Sequence, residues 1–107
     1  MRGEAIKGHL ELLLLAALEQ GPGHGYALIE RLRERSGGAF QFPEGTIYPA
    51  LHRLEHAGLL TSRWSTGRAR RRRVYSLRRK GRAALKDQLR EWRLFARAVE
   101  RVVGNPA

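Results

Sequence analysis

From Gly8 to Gln20 the chain is almost solid leucine and alanine, with Glu11 and Glu19 as the only charges. Both residue types are strong helix formers. A helix that is apolar around most of its circumference has to be covered on several sides. Whatever this chain folds into must therefore wrap other elements around its first helix. That helix stops at Gly21-Pro-Gly-His-Gly25, where glycine admits unusual backbone angles and Pro22 has no amide hydrogen for a further turn. The longest apolar run, Leu12 to Leu18, is far shorter than the ~20 residues of a membrane span.

The covering elements follow in order. Tyr26 to Ser36 places Leu28, Ile29 and Leu32 on one stripe among Glu30, Arg31, Arg33, Glu34 and Arg35, which predicts an amphipathic helix stopped by Gly37-Gly38. A third helix is expected from about Glu44 to Ala57, with Ile47, Leu51 and Leu54 inside, Ala50 beside them and Gly58 as the stop. Pro49 is expected close to its first turn, because deeper inside it would remove a ladder hydrogen bond. After Gly58 the period becomes two: Leu60, Ser62 and Trp64 alternate with Thr61, Arg63 and Ser65. A turn over Thr66-Gly-Arg-Ala-Arg70 and a return strand from Arg72 to Leu77 complete a hairpin. A last helix is expected from about Arg79 to Val103, ended by Asn105-Pro106. The fold class is thus mainly α with a small antiparallel β-hairpin. Residues 1–78 read as a winged helix-turn-helix domain and 79–107 as a C-terminal dimerisation helix with a short tail.

At 107 residues there is room for one domain with a single attached element. The chain has no cysteine, which excludes disulfides, thiolate zinc sites and cysteine nucleophiles. Glu11 interrupts any signal-peptide core and no small-residue cleavage site follows, so a soluble cytoplasmic protein is expected. Charge is the outlier: 21 Lys and Arg against 10 Asp and Glu, a formal net of +11. Such an excess favours a polyanionic partner, either nucleic acid or an anionic membrane surface.

Half of the cations stand on and beside the hairpin. Nine arginines and Lys80 lie between Arg63 and Arg82 with no acid among them. Gly67 lets the tip turn tightly, and the guanidiniums of Arg68, Arg70, Arg71 and Arg72 can grip phosphates bidentately or enter a minor groove. The bland reading is a solvated strand face, although like charges so dense repel one another. On the third helix, 100° per residue puts Gly45, Pro49, His52, Arg53 and His56 opposite the apolar stripe, flanked by Thr46 and Tyr48. Thr46, Tyr48 and Pro49 can offer hydroxyl and apolar contacts to base edges, and His52 and Arg53 can take phosphate or guanine. An ordinary exposed helix face is the alternative. His52 and His56 have metal-ligand spacing, but no third ligand accompanies them and Glu55 projects elsewhere, so no metal is expected. Ser36, Ser62, Ser65 and Ser76 lack a nucleophile elbow, no glycine loop cradles phosphate, and no cofactor or enzymatic activity is expected.

The last helix carries a seam of Leu85, Leu89, Trp92, Ala96, Val99 and Val103 in steps of four and three, widened by Phe95 and Val102. This is the pattern of a helix pairing with another helix. A second copy of the chain would cover it and present two third helices to one duplex, whereas the alternative is a helix folded back on its own domain. Trp92 reads either as interface packing or, with Phe95, as the wall of a cavity for a small aromatic effector.

Gly8-His-Leu-Glu-Leu, His24-Gly-Tyr26, Glu44-Gly-Thr-Ile-Tyr-Pro-Ala-Leu51, Gly58-Leu-Leu60, the arginine wing and Tyr75-Ser-Leu77 together resemble the PadR-type transcriptional regulators. The likeness runs from about Lys7 to Val103 and fits the short branch with one C-terminal helix. It implies a winged-helix homodimer, usually a repressor released by a small, often aromatic compound. By position, Thr46, Tyr48 and Pro49 match the recognition helix, and Arg68 to Arg72 match the wing. His24 and Tyr26 match a turn where a helix N-terminus can meet phosphate, and Trp92 matches a tryptophan of a dimer-centre drug pocket. Two positions depart from the pattern: Arg78 stands where a threonine commonly caps the last helix, and His9 replaces a small hydroxyl residue. The expected partners are double-stranded DNA, a second copy and an aromatic effector, with no membrane. A basic RNA- or ribosome-associated protein is the competing class.

Overall fold

The computed structural model describes residues 9–66 and 71–104. The Leu/Ala segment forms α1, Leu10–Glu19, and Leu14 and Leu15 are completely buried in it. Around it lie β1 (Gly23–His24), α2 (Gly25–Arg35), α3 (Glu44–His56), β2 (Leu60–Trp64), β3 (Arg73–Leu77) and the long α4 (Arg79–Val103). Helix α1 touches α2, α3, α4 and β3, as its all-round apolarity requires. Leu28 and Leu32 of α2, Ile47, Leu51 and Leu54 of α3, and Tyr75 and Leu77 of β3 complete the core. Phe42, buried in the segment before α3, closes it, with Phe40 packed alongside.

The hairpin forms in the register Leu60↔Leu77, Ser62↔Tyr75 and Trp64↔Arg73. The sheet has a third strand, built from residues that read in the sequence only as a helix stop. Gly23 pairs with Tyr75 and His24 with Val74, giving the order β1-β3-β2. Two residues carry no periodicity; β1 exists because the turn after α1 brings them against β3. That turn is held by Arg31, whose guanidinium donates to the carbonyls of Ala17, Gly21 and Pro22 at 3.2, 2.7 and 2.7 Å. One arginine thus pins the turn to α2.

Helix α3 starts where expected, but Pro49 is its sixth residue and lies beyond the first turn. The Gly45 carbonyl consequently loses its helical donor, and Gly45 is exposed, where water can replace that donor. At the other end Gly58 takes φ +82°. Its amide reaches Glu55 O at 2.9 Å and the Leu59 amide reaches Leu54 O at 3.0 Å, the paired bonds of a glycine-terminated helix. Helix α4 spans the expected residues, and Arg78 opens it without a side-chain cap. At Gly81 any Cβ would collide with the Leu59 carbonyl and with Leu77 Cδ1, so glycine allows α4 to leave the sheet closely packed. The α4 helix then projects. The radius of gyration is 15.3 Å, against about 13 Å for a compact chain of this length. No helix among the described residues is long and apolar enough to cross a membrane.

Candidate nucleic-acid interface

The first turns of α3, the start of α2 and the base of the β2–β3 wing enclose an open cleft of about 600 Å³. It brings together His24, Tyr26, Tyr48, His52, Arg71 and Arg72, all expected from the sequence, and adds Glu44, Trp64, Arg73 and Tyr75. Thr46, Pro49 and Arg53 are exposed on α3 outside this lining. Arg68 and Arg70 lie outside the described residues.

His24 has two tasks. Its backbone is extended at the mouth of α2, and its Nδ1 accepts the Ala27 amide at 3.1 Å, capping the helix. A ring that accepts at Nδ1 carries its proton on Nε2 when neutral. Nε2 stands 3.0 Å from an Arg72 terminal nitrogen, which can only donate. Both groups then donate, so their direct contact is unfavourable, and an anion that parted and bridged them would satisfy both. Burial first, then the charges of Arg72 and Arg31, hold the His24 pKa below its ordinary 6.5. The free cleft therefore keeps the ring neutral near pH 7.

Tyr48 is positioned by a glycine. A Cβ on Gly25 would come within 2.6 Å of the Tyr48 ring, so the ring lies directly over the bare backbone at the start of α2. This explains physically why a His-Gly-Tyr turn accompanies a Glu-Gly-Thr-Ile-Tyr-Pro helix. The wing is tied to α3 by a side-chain chain that sequence reasoning missed. Glu55, half-buried on the inner side of α3, accepts a short hydrogen bond from Ser62 Oγ on β2. Arg73 Nε donates to the same Oγ at 2.8 Å. The guanidiniums of Arg73 and Arg71 lie 5.2 and 4.8 Å from the centre of the Trp64 ring, within cation–π range. The spacing of these residues along the sequence carries no signal, since the chain closes only when β2 and β3 pair. Tyr75 forms the cleft floor, where burial, with Glu55 adding to it, pushes its phenol pKa up.

A second site lies at the seam. Leu85 is buried in the core of its own chain and Leu89 is half-buried. Beyond them the seam opens: Trp92 is 40% exposed, Phe95 58%, Val99 39% and Val103 72%, with Ala96 half-buried between them. Trp92 and Phe95 are 6.0 Å apart, and the His9 ring meets Trp92 edge-on at 5.0 Å. His9 makes no capping bond at the start of α1, so its place at this position is explained by the aromatic contact. With Glu11, Leu12, Gln88 and Glu91 these rings border a hollow of about 440 Å³. No group of three or more metal-ligating side chains occurs among the described residues, and His52 and His56 are both exposed.

Residues 14–87 match the family model of the transcriptional regulator PadR-like family. The chain belongs to this PadR-like family. Its members are transcriptional regulators and not enzymes. A curated transcriptional regulator of Mycobacterium tuberculosis is 43% identical over 76 residues, covering 71% of this chain and 68% of the relative. Among solved structures, a transcriptional regulator from Clostridium thermocellum is 26% identical with a TM-score of 0.87, covering 97% of this chain and 99% of its own. Bacillus subtilis PadR, solved in complex with operator DNA, is 27% identical with a TM-score of 0.69, covering 76% of this chain and 46% of its own. The cleft and the first turns of α4 up to Asp87 therefore lie within the stretch matched by the family model, and the exposed seam lies beyond that stretch.

Proposed function

We propose that this PadR-like regulator binds duplex DNA as a homodimer on a (pseudo)palindromic operator and acts as a ligand-responsive repressor. The observation that carries the reading is the convergence of His24 Nε2 and Arg72 at 3.0 Å in a cleft between α3 and the wing. Paired donors with Arg71 beside them suit a backbone phosphate. Thr46, Tyr48, Pro49, His52 and Arg53 are assigned to the groove, with Tyr26, Arg68 and Arg70 on flanking phosphates. Glu44, at the start of α3, suits a cytosine amino group. The Bacillus subtilis relative, solved with operator DNA, supports the reading that duplex DNA is the partner. Residues 1–78 would act as the reading unit, and the seam of Leu89, Trp92, Phe95, Ala96, Val99 and Val103, anchored by Leu85, as the dimer contact. A planar aromatic effector would lie against Trp92 and Phe95.

The test separates the two surfaces. Changing Arg70, Arg71 and Arg72 to Ala should weaken binding to every duplex and reduce the slope of log K against log salt by about 0.9 for each phosphate no longer neutralised. Changing Thr46 or Tyr48 should instead remove preference among sequences and leave the slope nearly intact. Equal loss for all DNA in both sets would contradict the division.

A further inference from the structure

The charge of the chain is not confined to the wing. Helix α4 carries eight cationic and three acidic residues, a net of +5 out of the total +11. Arg82, Lys86, Arg90, Arg93, Arg97 and Arg101 follow one another in steps of four, four, three, four and four, and all six are exposed. At 100° per residue these steps form one ridge, about 28 Å long, roughly a third of a turn around the helix from the apolar seam. Asp87 and Glu91 stand on the other flank, and Glu100 is the single acid at the edge of the ridge. Of these six, Arg90 alone has a carboxylate within ion-pair distance among the described residues, Asp87 at 3.7 Å. Like charges at these spacings repel and weaken a helix. A line of them is stabilised by a matching line of negative charge.

The ridge cannot share the phosphates of the α3–wing cleft. The cleft is lined by the first turns of α3, whereas Lys80, at the start of α4, bonds the Ala57 carbonyl at the opposite end of α3 at 3.2 Å. Helix α4 therefore leaves from the side remote from the reading end. We propose that this ridge is a second nucleic-acid surface, which holds the phosphate backbone of a duplex segment other than the one in the cleft. Five of the six groups are arginines, whose planar forks match phosphate oxygens in pairs. A lipid surface fits less well. Helices that lie in a membrane insert an apolar face beside the basic one, and here the first part of that face is turned toward α1, with Leu85 buried and Leu89 half-buried.

The test uses the full chain and a random-sequence duplex of about 20 base pairs, a length near two helical turns. In an R71A/R72A background, which disables the cleft, binding should persist and remain steeply salt-dependent. Adding R90Q, R93Q, R97Q and R101Q should lower that residual affinity at least tenfold and flatten its salt slope. A four-lysine version should keep most of it, and circular dichroism should show the helix content unchanged, since the positions are exposed. With the cleft intact, the four glutamine changes should leave preference among sequences untouched, so that failure of the ridge is distinguishable from failure of the cleft. The proposal is overturned if the R71A/R72A chain binds no duplex, or if the glutamine changes leave residual binding unaltered. It is equally overturned if they abolish binding to phosphatidylserine vesicles and not to DNA.

Discussion

His24 shows how much one side chain determines here. As a neutral cap it accepts the Ala27 amide, and a second proton would convert that acceptor into a donor. Its pKa is depressed by burial and by Arg72 and Arg31, so the unfolded chain takes up this proton more readily than the folded one. Stability from this group is complete above about pH 6.5 and is lost as pH falls through the depressed value. Asparagine also caps helices and does not titrate. The H24N chain should therefore match the parent in urea midpoint at pH 7.5 and surpass it at pH 5, whereas H24A should lose about 1 kcal/mol even at pH 7.5. Gly25 makes a second test at this scale. In G25A the new methyl must displace the Tyr48 ring, at a cost of about 1–3 kcal/mol for overpacking. Thermal unfolding should show that loss, and duplex competition should show weakened sequence preference with the salt slope retained. Neither role is legible in the sequence. Histidine is not a favoured capping residue, and a glycine in a turn reads as a helix stop until the ring that lies on it is known.

Among elements, the ones written in strong periodicity are read correctly from the sequence. The boundaries of α4 coincide with the expected ones, and α1, α2 and α3 differ from expectation by a residue or two. Strand β1 escapes such a reading because its two residues gain their partners from β3, some fifty positions away. The seam of α4 is legible as apolar, but its pattern does not say which turns α1 covers and which remain open. The open part makes Trp92 a reporter. In a W64F background, planar aromatic compounds should quench the remaining tryptophan fluorescence, and F95A should weaken the effect several-fold. No quenching across a broad panel would leave this part of α4 with packing alone. The Glu55–Ser62–Arg73–Trp64 chain belongs to this scale too, since it fixes the wing against α3 so that groups from two elements face one cleft.

For the whole molecule, shape and charge support one arrangement. The described chain measures 54 × 28 × 21 Å, with α4 extending beyond the winged unit and its apolar turns uncovered. A second copy covering them, as proposed, would leave two clefts at a fixed separation, which a two-fold site on DNA would match. The most direct test is to select bound duplexes from a random pool and footprint the winner with hydroxyl radicals. Two related half-sites are expected, centred about 10–10.5 base pairs apart or a multiple of this, each protected by one cleft. A single unpaired footprint, or a preference for structured RNA over every duplex in the pool, would contradict the paired-cleft arrangement.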